Sequence, residues 1–123
     1  MEKLLLIGMN DNEYRTIAQV ANRLKITVDV INPEYYDKTL GELAGGKYKE
    51  TASQVPTVVS TESLIVICGL TDKRLDKLLF ELRRAEVNVD YKAILTHTNK
   101  EWNVPQLMQE MRREKMEYSR RKK

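Results

Sequence analysis

The sequence predicts a single three-layer α/β domain, built on a four-stranded, mostly parallel sheet with helices on both faces. Three observations carry this. Leu4–Ile7 and Leu64–Cys68 are short unbroken apolar runs, as strands covered on both faces require. Between such runs lie longer segments whose apolar residues recur at helical spacing, for example Tyr14, Ile17, Ala18, Ala21 and Leu24. Strand-like and helix-like segments then alternate along the chain, which is the signature of a sheet with crossover helices.

Element by element, Leu4–Ile7 is the first strand, broken by Gly8-Met9-Asn10, and Asn10, Asp11 or Asn12 can cap the helix that follows. Ile26–Ile31 is β-branched and alternating, hence a second strand, ended by Asn32-Pro33. Thr39–Ala44 reads as a short helix stopped by Gly45-Gly46, Lys47–Gln54 is aperiodic, and Val55–Val59 reads as extended. Leu64–Cys68 is the third strand, followed by a helix capped at Thr71 or Asp72 with the stripe Leu75, Leu78, Leu79, Leu82. Tyr91–Leu95 is the fourth strand. Asn103 caps the last helix, with Gln106 completing a box-like pattern and Trp102 and Leu107 spaced as a hydrophobic staple. The stripe Val104, Leu107, Met108, Met111 docks that helix, and beyond Met111 packing weakens. Right-handed crossovers favour strand order 2-1-3-4, with the first crossover on one face, the second and third on the other, and the last helix back on the first. No internal repeat is evident in the sequence.

Of 123 residues, 21 are Lys or Arg and 18 Asp or Glu, for a net charge of +3. That charge is localised. Residues 112–123 carry seven basic groups against Glu114 and Glu117, leaving residues 1–111 mildly acidic. The expected organisation is therefore an α/β domain over 1–111 and a basic helical extension or frayed tail over 112–123. No apolar run approaches the ~20 residues of a membrane span, and the N-terminus lacks the pattern of a signal peptide. A single Cys excludes an internal disulfide framework and a Cys-based zinc site, so a cytoplasmic protein is expected.

In an all-parallel arrangement, a ligand sits beyond the carboxyl ends of the strands where winding reverses, here between the first and third strands. The loops expected there carry Asn10, Asp11, Gly69 and Thr71, with Thr96, His97, Asn99 and Trp102 beside them after the fourth strand. Helix N-termini in these loops favour an anion. Most of these residues also have a plain structural reading: Asn10, Asp11 and Thr71 as caps, Gly8 and Gly69 as turn residues, Cys68 as a buried small hydrophobe, Trp102 as a staple. Lys92 interrupts an apolar strand and reads as a side chain reaching solvent at a sheet edge. His97 is the sole imidazole, and no acids stand at metal-ligand spacing to it, so neither metal nor cofactor is expected.

The stretch Lys92-Ala93-Ile94-Leu95-Thr96-His97-Thr98-Asn99-Lys100-Glu101-Trp102 resembles the signature of an uncharacterised bacterial family, domain of unknown function 3783. Thr39–Leu43 and Gly69–Asp72 also look like that family's pattern, so the resemblance spans nearly the whole chain. It marks Lys92, Thr96, Asn99 and Trp102 and implies no reaction. Where members carry a Glu-His pair in the final helix, this chain has Glu114-Lys115. A fainter likeness, carried by Leu4–Ile7 and Gly8–Glu13, is to response-regulator receiver domains, although Cys68-Gly69 stands where an acceptor aspartate is needed.

No convergent set of nucleophile, base and metal ligands is legible, and no catalytic residue is assigned. The leading expectation is a non-enzymatic binding or regulatory module for a partner protein or small anionic ligand. The alternatives are an enzyme acting on a small anionic substrate through His97, and weak nucleic-acid binding through the basic tail.

Overall fold

The structure is a computed structural model that describes residues 2–48 and 62–121. The expected extended stretch at Val55–Val59 lies outside the described residues. The described residues group into two compact units, one drawn from residues 1–32 and 60–95 and the other from residues 33–59 and 96–123.

The first unit holds the sheet. Strand β1 (Lys3–Ile7) leads through helix α1 (Asp11–Arg23) to β2 (Thr27–Val30), and β3 (Leu64–Cys68) leads through α3 (Asp72–Arg84) to β4 (Tyr91–Ile94). The strand order is β2-β1-β3-β4, as expected. The sheet is mixed, however. β1 and β2 are parallel, β3 and β4 are parallel, and the central β1–β3 pair is antiparallel, with Lys3 opposite Cys68, Leu5 opposite Val66 and Ile7 opposite Leu64. The sequence could not reveal this, because an unbroken apolar run reports burial on both faces and carries no information about direction.

The antiparallel centre also corrects the placement of the helices. Two right-handed crossovers that step outward from the centre, one on each side and along opposite strand directions, must lie on the same face. α1 and α3 accordingly share one core. Leu4 and Leu6 from β1 and Ile65 and Ile67 from β3 pack with Ile17, Val20, Ala21, Leu78 and Leu82 from the two helices. The side chains that alternate with these, Leu5, Ile7, Leu64 and Val66, are also fully buried. Each buried Leu or Ile stabilises the fold by roughly 1.5–3 kcal/mol relative to exposure.

The second unit contains a 3-10 turn at Pro33–Tyr35, helix α2 (Leu40–Gly45), a second 3-10 turn at Asn99–Glu101, and helix α4 (Val104–Arg121). Thr39 caps α2 in a capping box with Glu42, and Gly46 closes it in the left-handed conformation. Asn103 and Gln106 exchange the same pair of bonds at the start of α4: Asn103 N–H donates to Gln106 Oε1 (2.9 Å) and Gln106 N–H to Asn103 Oδ1 (3.0 Å). The two helix starts are tied together. Thr39 and Asn103 form an antiparallel bridge, and Leu40 N–H donates to the Trp102 carbonyl (2.8 Å). Val104, Leu107 and Met108 are buried, whereas Met116 and Tyr118 further along α4 are exposed.

The chain does contain an internal repeat. Gly8 and Gly69 both take positive φ, Asn10 and Thr71 cap 13-residue helices, and Leu24 and Ala85 close them. Lys25 (φ 59°) and Glu86 (φ 58°) then both turn left-handed, and Ile26 N–H and Val87 N–H donate to Ala21 and Leu82 respectively. Every one of these pairs is 61 positions apart. After three extra residues before β4, the same correspondence continues at 64: Ile31 and Leu95 bond back to β1 and β3, and Thr39–Glu42 and Asn103–Gln106 are the two capping boxes.

Candidate functional site

The antiparallel centre separates the residues assigned to one rim. Asn10 and Asp11 follow the carboxyl end of β1, and Gly69 and Thr71 follow that of β3. With Lys3 opposite Cys68, those two ends lie at opposite edges of the sheet. A crevice shared by these two loops does not form.

Taken singly, most of the candidates are engaged by the backbone. Asn10 Oδ1 accepts from Glu13 N–H (2.8 Å) while Asn10 N–H donates to Glu13 Oε1 (3.1 Å). Asp11 is exposed in the first turn of α1, where a negative charge suits the helix dipole. Thr71 Oγ1 accepts from Arg74 N–H (3.3 Å). Thr96 N–H donates to Asn99 Oδ1 (2.8 Å) and Asn99 N–H to Thr96 Oγ1 (3.1 Å), so this pair locks the loop after β4, with Asn99 itself buried. Trp102 is half-buried, and its carbonyl holds Leu40. Lys92 is exposed on β4, an edge strand, and His97 is exposed. Cys68 is buried, and loss of hydration pushes its thiol up to about 11, partly offset by the charge of Lys3. It is therefore a protonated thiol at neutral pH, a poor nucleophile. Among the described residues no group of three His, Cys, Asp or Glu side chains is placed to hold a metal ion, and no helix is long and apolar enough to cross a membrane.

The feature that the sequence reading missed is on the outside of α3. A groove of about 630 Å³ runs along this helix, lined among the described residues by Thr71, Lys73, Lys77, Leu79, Phe80 and Arg83, with Arg74 and Asp76 beside them. Phe80 is 48% exposed, and Lys77 Nζ lies 5.9 Å from its ring centre. Arg74 is committed to the scaffold: it donates to both carboxylate oxygens of Glu2 (2.8 and 2.6 Å) and to the Leu24 carbonyl at the end of α1 (2.6 Å). That pairing holds Glu2 below the ordinary carboxylate range.

The repeat supplies an internal control for this groove. Sixty-one positions earlier, Lys73, Arg74, Lys77 and Arg83 correspond to Asn12, Glu13, Thr16 and Asn22, and Phe80 corresponds to Gln19. Asp76 corresponds to Arg15, the one change in the opposite sense. The same scaffold thus carries a polar, near-neutral outer face on α1 and a cationic face with an aromatic centre on α3. A signal was present in the sequence, as Lys73, Lys77, Phe80 and Arg84 recur at helical spacing opposite the leucine stripe.

Residues 63–118 match the family described as Domain of unknown function (DUF3783). The DUF3783 segment includes β3, α3, β4 and most of α4, with the groove and the Lys92–Trp102 signature inside it. Thr39–Leu43 lies outside the match, so the family likeness is confined to the second half of the chain. No curated protein and no solved structure matches this sequence. The antiparallel β1–β3 pair also departs from the all-parallel sheet that a receiver domain requires.

Proposed function

We propose that this protein is a non-enzymatic binding module whose outer α3 face receives an acidic, amphipathic segment of a partner protein. The observation that carries the reading is the contrast between Phe80 and Gln19: the place where α3 exposes an aromatic ring among cations holds an amide on α1, whose own exposed ring, Tyr14, stands at a different position. A structural requirement would apply to both helices. Large exposed aromatics flanked by Arg and Lys are the composition of interface anchors. From Lys73 to Arg83 the face extends ~15 Å at 1.5 Å per residue, enough for two to three turns of a docked helix. A protein segment is favoured over nucleic acid because the groove offers one ring and an aliphatic floor at Leu79, rather than a series of stacking platforms.

The reading is tested with a fluorescein-labelled helical peptide bearing Leu at i, i+3 and i+4 and Glu elsewhere, titrated with the full chain. Phe80→Ala should weaken binding at least tenfold, in line with the ~2 kcal/mol of a central aromatic anchor, without moving the thermal midpoint. Gln19→Ala should change nothing. Binding indifferent to Phe80→Ala would sink the proposal. Tighter binding of a single-stranded oligonucleotide, with a steep salt dependence, would replace it with nucleic-acid recognition.

A further inference from the structure

The two halves of the chain are joined by pairings that are equivalent to themselves. With the 61-position correspondence, Leu5 is the counterpart of Val66, and these two residues stand directly opposite each other in the β1–β3 ladder; Lys3 and Ile7, opposite Cys68 and Leu64, simply exchange places. With the 64-position correspondence, Thr39 is the counterpart of Asn103, and these two also pair with each other. Unrelated strands can pair in any register. A two-fold relation allows only registers centred on equivalent residues, and both pairings meet that condition, each within its own unit.

We infer that residues 3–46 are a second, diverged copy of the unit that the DUF3783 match locates at 63–118, and that the two copies bind each other as a two-fold pair. The binding surface of each copy is its inner strand and the helix that follows, and the partner it fits is the other copy. Side-chain sizes have diverged in a complementary way. In the core that α1 and α3 share, the small Ala21 of α1 corresponds to the large Leu82 of α3. Small against large keeps the shared volume filled, whereas large against large would overpack it. Each copy is thereby fitted to its counterpart rather than to itself.

If the copies are equivalent partners, their order along the chain is immaterial. The test is the full chain permuted to run 62–123, then 49–61, then 1–48. It should unfold cooperatively, with a thermal midpoint within ~10 °C of the native order, the shift expected from ~1–2 kcal/mol in a domain of this size. A companion variant in native order carries a protease site within 49–61. After cutting, it should remain one species of the parental 14.4 kDa, with a concentration-dependent midpoint. Loss of cooperative unfolding in the permuted chain, while the cut chain stays paired, would show that order matters and overturn the inference. Separation of the halves on cutting would overturn it as well.

Discussion

At the scale of single residues, the side chains that resemble a site are largely occupied in shaping the backbone. Asn99 and Thr96 bond to each other's N–H groups, so Asn99→Ala should cost about 1–2 kcal/mol in urea unfolding, as a lost buried cap does. Gly8 has φ +69°, and a Cβ there would stand 2.5 Å from the Glu62 carbonyl oxygen. Gly8→Ala should therefore destabilise by more than the ~1 kcal/mol of conformational strain alone, measurable by the same unfolding assay. Cys68 makes a pH prediction with a definite sign. Its folded pKa of about 11 lies above the ordinary 9.0, so the folded state keeps the proton that the unfolded state releases. Its contribution is full below pH 9 and lost as pH rises from about 9 to 11. Denaturation at stepped pH should show a steeper loss of stability over that window than in Cys68→Ala, and iodoacetamide should label Cys68 slowly until the protein is unfolded.

Among the elements, helix boundaries were the most legible part of the sequence. Asn10, Thr71 and Asn103 all stand among the caps that were expected, because capping is decided within four residues of chain, whereas Thr39, read as the first residue of its helix, is the cap of α2. The groove on α3 was not legible, since a charged outer stripe looks the same whether it is solvated or used, and only the equivalent positions of α1 distinguish the two. α4 illustrates a stripe that ends before its helix does. Residues 113–119 are exposed, and Arg113 pairs with Glu110 and Glu117 on the same helix. Exposed pairs of this kind contribute little. Removing residues 112–123 should shift the thermal midpoint by no more than a few degrees, readable by circular dichroism.

For the molecule as a whole, the sheet is the joint between two βαβ halves. β1 and β3 are buried along their full length, whereas β2 and β4 form the edges. Native-state hydrogen exchange should find the slowest amides in β1 and β3 and faster exchange in the edge strands, since opening the centre requires the two halves to part. Protection greatest in β2 or β4 would contradict this arrangement.

The amino-acid sequence alone determined the number of strands in the described sheet, their order and the capped starts of the helices, and it pointed to the family whose pattern surrounds Lys92–Trp102. These are written in short-range patterns of apolarity and capping. Strand direction, the shared face of α1 and α3, the repeat and the Phe80 groove were decided only in three dimensions. Leu4–Ile7 and Leu64–Cys68 bury equally well in either orientation, and two copies whose identical pairs are Gly8/Gly69, Asp11/Asp72, Arg23/Arg84 and Leu43/Leu107 retain their likeness in backbone geometry rather than in residue identity. Direction is set by which partner edge each strand meets, and that choice is made across some sixty residues of chain.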